Sequence, residues 1–197
     1  MQDSHLFFNE IAYRWDEKST KTIVNRLQNI FDVYLAEISG QVLDTGCGTG
    51  ILIPILEKYK EISRIIELDI AKNMVRNAKD KQGYFKNTGF INGDAVHIPL
   101  MDNSIDTVIA YAVYPHIHDP QKALEEFYRI LKPGGRLAIL HLMGHKELND
   151  MHRDAHEVFA RHYLPPVEIV ANIIRQKGFN PDISIEQKNL YLIKAVK

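Results

Sequence analysis

Residues Val42-Leu43-Asp44-Thr45-Gly46-Cys47-Gly48-Thr49-Gly50 constrain this chain more than any other stretch. A short apolar run ends in an acid and then breaks into three glycines at alternate positions, with a helix expected from Ile51. Glycine lacks a Cβ, so it accepts positive φ and lets a ligand lie directly on the backbone. Unpaired N–H groups at a helix start carry partial positive charge and favour a polar or anionic group. A strand, a tight turn and a helix of this kind form the first unit of an α/β sheet, and a bulky polar ligand is expected on the turn.

The glycine spacing narrows the ligand. The dinucleotide fingerprint requires G-x-G-x-x-G, whereas here the third glycine comes one place early and Ile51 stands where that pattern wants Gly. A P-loop requires Gly-Lys-Ser/Thr, which is absent. A glycine-rich strand-to-helix turn with no ligand is the bland alternative. Three further segments count against it. Arg64-Ile65-Ile66-Glu67-Leu68-Asp69 is a second apolar run ending in an acid, where a neighbouring strand would offer a carboxylate to ribose hydroxyls. Gly93-Asp94-Ala95 is followed by Ile98-Pro99-Leu100 and Ser104-Ile105-Asp106, and Arg129-Ile130-Leu131-Lys132-Pro133-Gly134-Gly135 leads into another apolar run.

D-x-G-x-G-x-G resembles motif I of the class I S-adenosylmethionine-dependent methyltransferases. The G-D-A segment resembles that family's third-strand signature, and R-x-L-K-P-G-G its turn into strand five. With the acid-ended run Arg64–Asp69 these make four matches, in order from Val42 to about Ile139, roughly half of the chain. The nearest likeness is to the small-molecule branch that includes the ubiquinone and menaquinone biosynthesis methyltransferases. The resemblance implies a Rossmann-like, doubly wound, mostly parallel seven-stranded sheet with an antiparallel last strand. It implies a single domain over 1–197, made of a helical N-terminal lid (1–35), a cofactor-binding core (36–142), a helical cap (143–180) and a closing hairpin (181–197). S-adenosylmethionine is the implied cofactor. Its implied contacts are Asp44, Gly46, Cys47, Gly48 and Gly50 on the turn, and Asp69, Ile70 and Met74 after strand two. Asp94 and Ala95 follow strand three and Tyr111 ends strand four, while Tyr13 and Trp15 in Phe8–Asp16 match the family's lid.

The chain alternates strands near 41–44, 64–69, 88–92, 105–111 and 136–142 with helices near 51–60, 71–82 and 119–131, which implies βαβ units and a parallel sheet. Apolar spacing predicts a helix over Ser4–Phe31. His141–Tyr163 is polar and expected to be helical in its second half, and Val167–Lys177 is an amphipathic helix stopping at Gly178. Asp182–Glu186 and Leu190–Val196 read as the hairpin.

Methyl transfer is an in-line displacement, so positioning matters most, and a base matters only if the acceptor must lose a proton. The histidines are the best clue. His116 and His118 follow strand four and His141 ends strand five, the positions that face the reaction centre in this fold. They are the candidate catalytic residues together with Tyr114, while Tyr111 and Tyr114 both serve equally well as pocket wall or core. His141/His145 and His152/His156 have i, i+4 spacing, which on a helix is metal-ligand spacing, and chance surface histidines would look the same. No metal is assigned, and a metal- or metalloid-handling methyltransferase stays open. So do a binding module without turnover and an NAD-linked oxidoreductase, the last disfavoured by the early glycine. No acid follows strand four as in the magnesium-dependent catechol branch, and Tyr114-Pro115-His116 departs from the Asn/Asp-Pro-Pro-Tyr of the amino-methylating branch.

Charge balance supports a small-molecule acceptor. With 24 basic and 25 acidic residues the chain has no basic stripe to track phosphates, so no nucleic acid is expected. Cys47, the single cysteine, has no intrachain partner and fits a reducing cytoplasm. A reactive thiol there is the rival to simple smallness. The N-terminus shows no secretory apolar region, and no uncharged run reaches the roughly 20 residues of a membrane span. A cytoplasmic monomer or homodimer is expected.

Overall fold

The computed structural model describes residues 3–18, 21–82, 87–155, 158–159 and 162–197. Its elements in chain order are α1 (Asp3–Ile11), a 3₁₀ segment (Ala12–Lys18), α2 (Lys21–Tyr34), β1 (Gly40–Thr45), α3 (Ile53–Leu56), β2 (Ile62–Asp69), α4 (Lys72–Gln82) and β3 (Thr88–Asn92). There follow β4 (Ile105–Tyr111), a 3₁₀ turn (Tyr114–His116), α5 (Pro120–Ile130), β5 (Leu131–His141), α6 (His145–Asp154), α7 (Val167–Gln176), β6 (Asn180–Gln187) and β7 (Leu190–Val196). One seven-stranded sheet results, in the order β3-β2-β1-β4-β5-β7-β6, with β7 antiparallel to both its neighbours. Strand order reverses between β1 and β4, and a crevice opens at such a switch point beyond the carboxyl ends of the strands.

The strands read as continuous apolar runs because both faces are covered. Side chains alternate strictly: Leu43, Ile66, Val108, Ile139 and Ile193 join the core under α5 and α7, while Val42, Ile65, Ile109, Leu140 and Leu192 join the core under α2 and α3. Helix α5 is fixed at its start by Asp119, whose carboxylate accepts from the Lys122 N–H at 3.0 Å, and by Pro120 in its first turn.

The turn between α5 and β5 has a structural duty. Arg129 donates to Glu126 and Asp102 and to the carbonyls of Leu100 and Ile98, and Glu126 in turn accepts from the Ile98 N–H. That network holds the segment between β3 and β4 against α5. Lys132 reaches both carboxylate oxygens of Asp106, and Asp106 also accepts from the Gln41 N–H, joining three adjacent strand starts.

Three expectations need correction. The helix over Ser4–Phe31 is broken: α1 passes into a 3₁₀ segment, and α2 begins only at Lys21. The helix over 51–60 shrinks to one turn, Ile53–Leu56, with Pro54 at its start and i→i+3 bonds such as Ile55 N–H to Leu52 C=O (2.9 Å) around it. A helix that short has little macrodipole, so the glycine turn rather than a helix terminus must supply the donors. In the cap, the helix among the described residues is α6, which begins in the first half of the stretch, at His145, and ends at Asp154. The reason lies far away in sequence: the Glu186 carboxylate on β6 accepts from the His145 N–H and the Val167 N–H, both at 2.9 Å, capping α6 and α7 together.

Candidate active site

The glycine turn is built by its neighbours. Gly46 N–H and Cys47 N–H both donate to the Leu68 carbonyl (2.7 and 3.1 Å), bending the chain off β1 across the end of β2. Gly48 N–H then donates to the Asp69 carboxylate at 2.9 Å, while the other Asp69 oxygen accepts from the Ala71 N–H at 2.8 Å. Gly46 has φ +68°, and a Cβ there would lie 2.2 Å from Val113 Cγ2. The requirement for glycine is therefore both conformational and steric.

Beside this turn lies a cavity of about 700 Å³. Four groups of elements line it: the turn (Thr45, Gly46, Cys47, Gly48), the ends of β2 and β3 (Asp69, Ile70, Met74, Asp94, Ala95), the end of β4 (Tyr111 to Val113 and Pro115 to His118), and the lid and cap (His5, Phe8, Trp15, Val158, His162). Of the residues expected to hold the cofactor, Trp15, Gly46, Cys47, Gly48, Asp69, Ile70, Met74, Asp94, Ala95 and Tyr111 are on this wall, and His116 and His118 join them. Tyr13, Asp44, Gly50, Tyr114 and His141 are not among its lining residues. Tyr13 points outward, 72% exposed with Arg14 over its ring. Asp44, Tyr114 and His141 are buried behind the wall.

The lid is bolted to α4. Asn9 accepts from the Asn73 N–H at 2.7 Å and its carbonyl accepts from the Asn73 side chain at 3.0 Å, while the Ala12 carbonyl accepts from Asn77. Ala12, Ala71 and Met74 pack together with Phe8. This brings Trp15 over the turn, with its Nε1 placed 3.6 Å from where a Gly48 Cβ would be. On the opposite side Ala112 holds φ +54°, an uncommon conformation for a residue with a side chain, and it turns the chain from β4 into the cavity wall.

Buried acids lie beneath the turn. Asp44 and Glu67 are register partners on β1 and β2, both essentially inaccessible; among the described residues Asp44 Oδ1 has no hydrogen-bond partner, and the Glu67 carboxyl has none beyond the adjacent Cys47 thiol. Burial raises both carboxyls well above the usual range; the charge of Asp69 adds to this at Asp44, and that of Asp44 adds to it at Glu67. Burial, then the Glu67, Asp69 and Asp44 charges, push the Cys47 thiol up, so the thiol stays protonated and the reactive-thiol reading loses its chemistry. Asp69 is raised by burial, although the Ala71 and Gly48 N–H groups pull against that.

The histidines separate into three environments. His118 is exposed, with its Nδ1 3.7 Å from Asp94. His141 is fully buried, edge-on to Tyr191, with Nε2 unpartnered, and burial lowers it to about 3. His145 sits at the start of α6 with its ring against Glu186, so His141 and His145 are not on one helix and the expected i, i+4 pair does not form. His152 is buried on α6, and His156 lies outside the described residues. Among the described residues no group of three or more His, Cys, Asp or Glu is arranged to hold a metal ion. Thr45 and His162 are among the wall residues that sequence reasoning missed. Thr45 has a buried hydroxyl with no partner, signalled only by its place at a strand end. His162 lies in a stretch whose polarity gave no geometry.

These residues fit a nucleoside with an amino-acid tail. A two-oxygen acceptor at Asp69, a second acid at Asp94, apolar Ile70 and Met74 between them, and an orphaned Thr45 hydroxyl suit sugar, purine and polar tail in turn. Fold and site thus define a doubly wound α/β protein whose cavity at the switch point suits a nucleoside. A methyltransferase domain model matches residues 43–139. The chain is 30% identical over 173 residues to the ubiquinone/menaquinone biosynthesis C-methyltransferase of Klebsiella pneumoniae, covering 83% of this chain and 68% of that one. For the same enzyme of Enterobacter the identity is 29%, covering 84% and 68%. S-adenosylmethionine-dependent methyltransferases of Thermotoga maritima (TM-score 0.72, 22% identity, 96% and 98% covered) and Aquifex aeolicus (0.68, 22%, 89% and 97%) share the fold. The chain belongs to the class I S-adenosylmethionine-dependent methyltransferases, and S-adenosylmethionine is its methyl donor.

Removing the Asp69 carboxylate tests the cofactor side of the site. An Asp69→Ala variant should bind S-adenosylhomocysteine about 1–3 kcal/mol more weakly by calorimetry, from lost hydrogen bonding and a loosened Gly48. Unchanged affinity would take Asp69 out of the site.

Proposed function

We propose that the enzyme methylates a small molecule held between the nucleoside-binding wall and the lid and cap. The observation that carries this reading is the continuity of the cavity: the glycine turn, Asp69 and Asp94 share one wall system with His116, Phe8, Val158 and His162. A cavity of about 700 Å³ lined by the turn, the strand ends, the lid and the cap suits a compact acceptor better than a polymer. The overall charge of −1 and the absence of a basic stripe agree. The curated relatives act in ubiquinone and menaquinone biosynthesis by name, which supports the small-molecule branch.

The sulfonium supplies an activated methyl group and a neutral leaving group; the chain's residues supply position and exclude water. In this reading residues 1–35 form the lid, 36–142 the cofactor core, 143–180 the acceptor-facing cap and 181–197 the hairpin that anchors it. Asp69 accepts from the ribose, Asp94 from the adenine amino group, and Met74 packs on the purine. Tyr111, its phenol pushed up to about 12 by burial, remains neutral. No described helix is long and apolar enough to cross a membrane.

The test is binding followed by turnover. Calorimetry should show S-adenosylhomocysteine binding and no NAD binding. A screen for released S-adenosylhomocysteine across phenols, thiols, amines and metalloids should then find turnover. Binding with no turnover on any class would leave a cofactor-holding module instead.

A further inference from the structure

Asp44 and Glu67 lie in register on neighbouring strands, so their backbones are about 4.8 Å apart and their side chains leave the same face of the sheet. Ile109, the β4 partner of Asp44, belongs to the core under α2 and α3, which places both acids on that face, beneath the glycine turn. A carboxyl pair facing an apolar core is costly unless something balances it. Among the described residues no lysine, arginine or histidine forms an ion pair with either acid, and Asp44 Oδ1 has no hydrogen-bond partner. The Glu67 carboxyl finds only the Cys47 thiol, and Cys47 is itself on the cavity wall. The Thr45 hydroxyl, next in the chain after Asp44, is also buried without a partner, and Thr45 lines the cavity. The end of β1 thus holds unmet polar groups directly under whatever lies on the turn.

Few charged or titratable groups face the pair. The turn offers Cys47, the end of β2 Asp69 and the end of β4 Tyr111, all three on the cavity wall. From α2 comes Arg26, whose Nη2 donates to the carbonyls of Leu142 and Asn189 at 3.2 and 2.8 Å. Helix α3 has no titratable residue. Tyr34 and Tyr59 pack into the same core, and the Tyr59 hydroxyl donates to Asp32 at 2.6 Å. With no cation beside them, two such acids hold at least one proton between them, because like charges a strand spacing apart do not both ionise in an apolar setting. Burial raises both carboxyls, Asp69 adds to this at Asp44 and Asp44 adds to it at Glu67. The donor's chemistry answers this arrangement. S-adenosylmethionine carries a sulfonium, an ammonium and a carboxylate, so it is a cation overall. S-adenosylhomocysteine has lost the sulfonium charge and is neutral overall.

We propose that the Asp44–Glu67 pair senses the charge of the bound nucleoside and favours the sulfonium donor over its product, giving up a proton when the cation is seated on the turn and regaining it once the methyl has left. This rests on the reading that lays the donor on the glycine turn, and it adds the means by which donor and product are told apart. On binding, one carboxyl O–H bond breaks, its electron pair stays on oxygen and the proton passes to solvent. The carboxylate left behind balances the sulfonium. Methyl transfer breaks the C–S bond with its pair returning to sulfur, which removes the positive charge. The carboxylate then takes a proton from solvent, and the neutral product is held less well than the donor was. Because donor binding releases a proton, donor affinity rises with pH, about tenfold per unit for one proton released, while product affinity changes less.

The experiment is calorimetry on the whole chain with S-adenosylmethionine, S-adenosylhomocysteine and sinefungin, which carries an ammonium in place of the methylated sulfur. Each titration is run in phosphate and in Tris between about pH 6 and 8.5, and the different ionisation heats of the two buffers count the protons exchanged. The ligands' own amines titrate too, so the measure is wild type minus Glu67→Gln, which cancels them. Wild type should release about one proton more than the variant with S-adenosylmethionine and with sinefungin, and no such excess with S-adenosylhomocysteine. Glu67→Gln should also narrow the preference for donor over product about five- to tenfold. A second readout needs no variant. In infrared difference spectra of wild type, the carbonyl stretch of a protonated carboxyl should weaken on adding S-adenosylmethionine and persist on adding S-adenosylhomocysteine. An equal proton excess for donor and product, no excess at all, or a carbonyl band unmoved by the donor would overturn the charge-sensing pair and leave the methyltransferase reading standing. A wild-type chain that binds neither nucleoside would instead overturn the reading beneath it, and the pair with it.

Discussion

A Gly46→Ala variant is expected to lose about 2–5 kcal/mol of unfolding free energy, measured by urea denaturation. A non-glycine residue in the left-handed region costs about 1–2 kcal/mol, and forcing a methyl into packed space adds about 1–3 kcal/mol. Both apply at Gly46, with φ +68° and Val113 Cγ2 2.2 Å from the added carbon. The two parts can be separated. Val113→Gly should relieve the steric share only, so the double variant should be less destabilised than the two single losses added together. Additive losses would show that Val113 is not the obstacle. Residual S-adenosylhomocysteine affinity should fall with stability, because the same methyl would shift the Leu68-bonded start of the turn.

The second large effect is a pH dependence at His141. Its folded-state pKa of about 3 lies below the ordinary 6.5 because the ring is fully buried, with His152 adding to the effect. A depressed group contributes stability above its unfolded value and loses it as pH falls toward its folded value. The window is therefore pH 6.5 down to about 3, at about 1.4 kcal/mol per pH unit and about 4–5 kcal/mol in all. Asp44, Glu67 and Asp69 work in the opposite sense: their raised values favour the folded state at low pH and lose that advantage as pH rises through them. A single wild-type titration mixes the two. The difference between His141→Phe and wild type cancels the carboxylates, and it should rise in favour of the variant as pH drops from 6.5. Parallel curves would mean that the buried ring is protonated at no cost.

Much of the cofactor side was legible because strand-end acids and glycines are local signals. Asp69, Gly46 and Gly48 reach the cavity from positions that the strand-end pattern marks, and Asp94 and Trp15 from positions that the family resemblance marks. What pattern could not give was anything decided by a distant partner. The cap helix begins at His145 because Glu186 accepts its N–H from 41 residues away, and no local propensity announces that bond. His162 meets His116, 46 residues earlier, on the cavity wall. The i, i+4 reading of His141 and His145 failed because β5 runs on through His141 before the chain turns at Gly144. The helix after the glycine turn was overestimated because its apolar residues, Leu52, Ile55 and Leu56, also satisfy a single turn packed against α2 and the sheet.

Glu186 has a consequence for what can change in the cap. One carboxylate clasps the first N–H of α6 and the first of α7, so the intervening segment leaves and rejoins the scaffold at nearly the same spot. A loop closed in that way behaves as an interchangeable cassette. A change of length or sequence within it would leave the two capped helix starts in place and alter only the part of the cavity wall that Val158 and His162 provide.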